Sequence, residues 1–158
     1  MALFKKKTKV LYAIADGTNV AIKDVPDEVF SSKMMGDGIA ILPKDGNIYA
    51  PCDGEVSMLM EHSLHAVGIL TKDGMELLIH IGLDSVELMG EGFQAYIQKG
   101  DHVKKGDLLI SYNKELLQAK GINDITMMVI VDAAGHEIIE TSKETILHKA
   151  ETCWLSYQ

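Results

Sequence analysis

Along most of the chain, short apolar runs alternate with clusters of glycine, proline, asparagine and aspartate. That spacing predicts short strands joined by tight turns. Strands are expected at residues 10–15 and 19–22, on either side of Asp16-Gly17, and then at 39–42, 48–50 and 55–60. Further runs follow at 86–89, 93–97, 102–103, 108–112, 125–131, 138–139, 145–147 and 153–157. Helix is expected in two places only. One is a turn over 27–31 with Asp27 as its cap. The other spans 113–119, with Asn113 as cap and Gly121 just past its end. The pattern therefore implies an all-β protein, an antiparallel β-sandwich or barrel-sandwich with one or two short helices. Residues 1–9 form a lysine-rich lead-in, expected to be a flexible tail, and residues 10–158 a single domain.

The most informative stretch is 63–84, SLHAVGILTKDGMELLIHIGLD. Asp73-Gly74 between apolar runs signals a hairpin with a two-residue loop. That loop pairs Lys72 with Met75, Val67 with His80, His65 with Gly82 and Ser63 with Asp84. In this register His65 and His80 are diagonal neighbours on one face, about 7–8 Å apart along the backbone. A slip of one residue would send them to opposite faces. Leu64, Ala66, Leu70, Met75, Leu77, Ile79 and Ile81 then make the core face. Ser63, His65, Val67, Ile69, Leu78, His80 and Asp84 make the other, an apolar apron around two imidazoles that reads as a docking surface.

Charge narrows the field. The net charge is −8, which argues against nucleic acid or an anionic membrane as the main partner. There are 15 cations and none is arginine, so any phosphate must be met by backbone N–H groups, imidazole, lysine or a partner's own guanidinium groups. The two cysteines, Cys52 and Cys153, form no C-x-x-C pair. Reduced thiols and a cytoplasmic location are expected. No apolar run approaches a transmembrane length, so no membrane insertion is expected.

Paired imidazoles on strands allow three chemistries. A neutral ring nitrogen can take a phosphoryl group while the second ring hydrogen-bonds its oxygens. The pair can be half of a zinc site, regulatory or hydrolytic, although two ligands are fewer than a catalytic zinc needs. It can also act as general acid and base. An apolar surround favours the neutral ring. Gly82 can supply a carbonyl for the His80 ring, and Ser63 can fix the His65 tautomer. Asp37 and Asp84 are candidate rim carboxylates. His62, His102, His136 and His148 have no matching arrangement and read as surface or structural. Lys72, at the hairpin tip, lacks the neighbours a biotinyl or lipoyl swinging arm requires.

The phrases DVPDEVFSSKMMGDGIAI, APCDGEV, SLHAVGI and above all LLIHIGLDSVELMGEGF resemble the glucose-type enzyme IIA component of the bacterial phosphoenolpyruvate:sugar phosphotransferase system. The likeness spans about residues 10 to 131. It implies that His80 carries a phosphoryl group on Nε2, taken from the histidine-containing phosphocarrier protein and passed to a cysteine of a IIB domain of a sugar permease. His65 would stabilise that group and Ser63 would orient His65. Asp37 and Asp84 would be the acidic positions beside the site, and Ile39, Ile41, Val67, Leu78 and Val86 the docking surface. No cofactor is implied beyond the covalent phosphohistidine; zinc at His65 and His80 is the alternative. Leu64 stands where the family usually has a polar residue. With no IIB-like cysteine motif and no membrane span, the sequence fits either a free-standing IIA protein or a IIA domain of a larger transporter, and the lysine-rich lead-in favours the former.

Overall fold

Among the described residues every strand pairing is antiparallel. The structure, a computed structural model, describes residues 7–158, so most of the lysine-rich lead-in lies outside the described residues. The first strand already opens at the last residue of that lead-in. In chain order the strands are β1 (Lys9–Tyr12), β2 (Gly17–Ala21), β3 (Gly38–Pro43), β4 (Asn47–Tyr49), β5 (Gly54–Leu59), β6 (Ala66–Thr71) and β7 (Glu76–Ile81). They continue as β8 (Phe93–Ala95), β9 (His102–Val103), β10 (Leu108–Tyr112), β11 (Thr126–Asp132), β12 (Ile138–Thr141), β13 (Ile146–Leu147) and β14 (Cys153–Tyr157). Two short helices, α1 (Glu28–Ser31) and α2 (Lys114–Ala119), carry the expected caps. Asp27 accepts from the Val29 amide and Asn113 from the Leu116 amide.

Eight strands form one large sheet in the order β13-β2-β3-β11-β7-β6-β5-β9. Two three-stranded sheets, β1-β14-β12 and β4-β10-β8, complete the molecule. The main core is shared by all three. Ile39, Ile41, Val67, Ile69, Leu77, Ile79 and Ile81 from the large sheet join Leu11, Ile48, Leu109 and Trp154 from the small ones. A second, smaller core covers the other face of the large sheet. There Ile22, Val25 and Phe30, from the segment between β2 and β3, pack on Ala40, Ala66, Leu78, Met127 and Val129.

Two sequence expectations fail here. The run 86–89 is not a strand: Ser85–Leu88 is a 3-10 turn, entered through Asp84 and left through Met89, both in left-handed backbone. The central hairpin is also one residue out of the expected register. Its loop has three residues, because the Thr71 amide bonds to the Met75 carbonyl (2.9 Å) and the Gly74 amide to the Thr71 carbonyl (3.1 Å). Gly74, with φ +94°, takes the left-handed bulge position that such a loop needs. The Thr71 hydroxyl accepts the Met75 amide and donates to Asp73 at 2.5 Å, which locks the longer loop. Ala66, not Val67, therefore lies opposite His80, and Val67 lies opposite Ile79.

Candidate functional site

The corrected register puts His80 in a row that crosses five strands. Val20 of β2, Ala40 of β3, Met127 of β11, His80 of β7 and Ala66 of β6 are successive cross-strand partners, and so they share one face. Small or flexible neighbours on that face leave room for the imidazole. Phe30 of α1 leans over it, with ring centroids 5.0 Å apart and planes tilted by 54°.

By alternation alone, the slipped register would send the His65 ring to the far face. It does not, because residues 64 and 65 lie outside any strand. Leu64 adopts φ +55°, a left-handed conformation that costs a branched side chain energy, and its amide bonds back to the Met60 carbonyl at 2.6 Å. The extended path is broken just before His65. Its carbonyl still accepts the Ile81 amide at 2.7 Å, but its ring turns to meet His80. The ring centroids are 4.7 Å apart at 87°, edge to face. The expected pairing of the imidazoles holds, by a kink rather than by the expected register.

Both rings are anchored through Nδ1. His80 Nδ1 lies 3.0 Å from the Gly82 carbonyl oxygen. A carbonyl only accepts, so Nδ1 carries the proton and Nε2 keeps a free lone pair. Gly82 can turn its carbonyl back because it sits at φ +78°. His65 Nδ1 is 2.7 Å from the Ser63 hydroxyl, which serves as donor or acceptor. Ser63 and His65 are each only 5% exposed. Burial holds both imidazoles below the usual histidine range. For His80 burial and the neighbouring His65 push the pKa down to about 4, against the Gly82 hydrogen bond and the charges of Asp27 and Asp84. At neutral pH both rings are uncharged.

A shallow cavity of ≈ 230 Å³ opens beside His80, lined among others by Asp27, Val29, Phe30, Asp84 and Val86. This corrects the sequence reading of the rim. Asp84 is where it was expected. Asp37 is not: it lines a different cavity with His136 and Tyr157, pairs with Lys33 at 3.4 Å and accepts the Gly38 amide. Asp27 is the second carboxylate of the site. Its place was concealed because its helix-capping role already accounted for it; the Val-Pro-Asp lead into α1 was the available signal. Phe30 was missed for a similar reason, being an apolar residue in a short helical turn.

The expected docking apron is corrected too. Ile39, Ile41 and Val67 are at most 1% exposed and belong to the main core, and Leu78 is 9% exposed. Of the five, only Val86 reaches solvent, at 49%, joined by Val29 at 42% on the same cavity. Among the described residues no cluster of three or more His, Cys, Asp or Glu is arranged to hold a metal ion, and no helix is long and apolar enough to cross a membrane. His136 is a structural residue, edge-on to Tyr157 and 3.7 Å from the Asp73 carboxylate.

A protein that holds one neutral imidazole with a free Nε2 beside a second, on a rigid antiparallel scaffold, has the parts of a phosphoryl carrier. Comparison with known proteins gives the same class. The family model for the phosphoenolpyruvate-dependent sugar phosphotransferase system, EIIA 1, matches residues 9–136. A PTS system glucose-specific EIIA component of Bacillus cereus is 42% identical over 148 residues, 94% of this chain and 89% of that one. Its namesake in Halalkalibacterium halodurans is 43% identical over 144 residues, 91% and 83%. Glucose permease IIA from Mycoplasma capricolum superposes with a TM-score of 0.86 at 31% identity, covering 98% of this chain and 99% of that one. The chain belongs to the EIIA 1 family of the sugar phosphotransferase system, and its role is that of a phosphocarrier in that system.

Proposed function

We propose that His80 is the phosphorylated residue and that Nε2 is the bonding atom. The observation that carries this reading is the Nδ1–H···O=C bond to Gly82, which leaves Nε2 as the free lone pair of a neutral ring. In the forward step Nε2 attacks phosphorus, and the bond from phosphorus to the donor's histidine nitrogen breaks and returns its electron pair to that nitrogen. The His80 ring gains positive charge as the new bond forms. The Gly82 carbonyl on Nδ1–H and the carboxylates of Asp27 and Asp84 offset that charge. When the Ser63 hydroxyl donates to His65 Nδ1, His65 Nε2–H is free to bond a phosphoryl oxygen. In the onward step a cysteine thiolate attacks phosphorus and His80 leaves as a neutral ring.

The donor is the histidine-containing phosphocarrier protein and the acceptor a IIB domain of a sugar permease, all on the cytoplasmic side. The apolar rim of Val29 and Val86 beside two carboxylates suits a partner with an apolar patch and basic groups, which this arginine-free chain does not supply. Glucose, named in the relatives, is the first sugar to assay.

The test is labelling from phosphoenolpyruvate through the upstream carriers. Wild type takes up one acid-labile phosphate and His80→Ala takes up none. His65→Gln accepts phosphate and passes it on about a hundredfold more slowly, the scale of misplacing one charge-stabilising donor. A labelled His80→Ala protein rules the assignment out.

A further inference from the structure

Resting on that reading, we infer that Ser85 is a positioning residue for His80, acting through the Gly82 turn. The Nδ1–H tautomer, which leaves the lone pair on Nε2, is favoured while the Gly82 carbonyl faces Nδ1. That carbonyl belongs to a glycine at φ +78°, in a turn that ends β7 and has no strand partner to hold it. Glycine tolerates this conformation but has many others open to it at little cost, so the turn does not lock itself.

Two peptide planes therefore need restraint, and each is held at both ends. In the plane between Gly82 and Leu83, the carbonyl accepts His80 Nδ1–H and the Leu83 amide donates to the Asn123 carbonyl at 2.9 Å. In the plane between Ile81 and Gly82, the Gly82 amide donates to the Ile125 carbonyl at 2.9 Å, and the Ile81 carbonyl accepts the Ser85 hydroxyl. Three of these four bonds draw on backbone or on the histidine itself. Ser85 is the one side chain in the turn whose sole hydrogen-bonding group is committed to fixing it.

Ser85 is fully buried, at 0% exposure, so its role is not contact with a partner. It also packs against the glycine: a Cβ built on Gly82 would stand 3.1 Å from Ser85 Cβ and 3.2 Å from its Oγ. The 3-10 turn Ser85–Leu88 thus returns the chain to brace the carbonyl that sets the His80 tautomer.

The test compares Ser85→Ala with Ser85→Thr, which keeps the donor. The primary readout is the ratio of Nε2–H to Nδ1–H tautomer at His80, from imidazole 15N shifts at neutral pH without any phosphorylation. Loss of the hydroxyl raises that ratio about 3- to 10-fold, the scale of one net hydrogen bond. Ser85→Thr leaves it at the wild-type value. In transfer assays the loss in Ser85→Ala falls mainly on kcat for acceptance, because the hydroxyl itself is buried and presents nothing to a partner. A folded Ser85→Ala protein with the wild-type tautomer ratio overturns the inference. If Ser85→Ala does not fold, the wild-type protein decides the matter. A Ser85 hydroxyl proton protected from exchange, with a cross-peak to a Gly82 α-proton, supports the inference; a freely exchanging one overturns it. Should His80 prove not to be phosphorylated at all, the tautomer measurement still stands separately.

Discussion

Acidification tests the electrostatic part of the site. The His80 ring loses solvation beneath Phe30 and beside His65, and its pKa falls from 6.5 to about 4. At pH 5.5 a ring titrating near 4 is about 97% neutral, whereas an unperturbed histidine is about 9% neutral. His80 therefore remains a competent nucleophile a full unit below the ordinary histidine midpoint. The same shift acts on stability. Between about pH 6.5 and about 4 the unfolded chain binds a proton at this position that the folded chain refuses. Stability contributed by this group is full above that window and is lost as pH falls through it. A displacement of 2.5 units, taken from 6.5 and about 4, corresponds to roughly 3 kcal/mol. Two assays read it. Imidazole 1H–15N spectra follow the His80 midpoint directly. Denaturant unfolding of wild type and of His80→Gln, from pH 7 to 4, gives a stability difference that grows by about that amount in favour of the glutamine variant. A His80 midpoint near 6.5, or parallel stability curves, would refute the claim that burial keeps the ring neutral.

Two further outcomes follow from the corrected rim. Asp27→Asn keeps the α1 cap, since asparagine caps as well as aspartate, but removes a charge that raises the His80 pKa. The His80 midpoint drops and KM for a basic carrier rises about 2- to 5-fold, while Asp37→Asn, at a separate cavity, leaves transfer kinetics unchanged. Phe30→Ala exposes the imidazole; a midpoint moving back toward 6.5, with a stability loss of about 3 kcal/mol, is the expected result, and an unmoved midpoint would show that Phe30 does not desolvate His80.

The residues that were easiest to read were those whose chemistry is local. Both helix caps, the fold class and the Gly82 and Ser63 partners of the two imidazoles followed from residue type and short spacing. The hairpin register did not. Asp-Gly fits the last two positions of a three-residue loop as well as the whole of a two-residue one, and the choice was made by the Thr71 hydroxyl. That single step moved Val67 from the supposed surface into the core. The kink at Leu64 then restored the histidine pair. A leucine gives no warning of left-handed backbone, which glycine, asparagine or aspartate would have given. The docking apron failed for a different reason. Ile39 and Ile41 lie on a strand with apolar residues on both faces, and alternation cannot say which face meets the smaller core.

On the proposed reading, phosphate resides on Nε2 of His80 with Nδ1 still protonated. Combined 31P and 15N spectroscopy of the protein phosphorylated from phosphoenolpyruvate tests it at the level of the atom. The expected result is one phosphorus signal, coupled to His80 Nε2, and a retained Nδ1–H bonded to Gly82. Phosphorus coupled to His80 Nδ1, or to either nitrogen of His65, would contradict it.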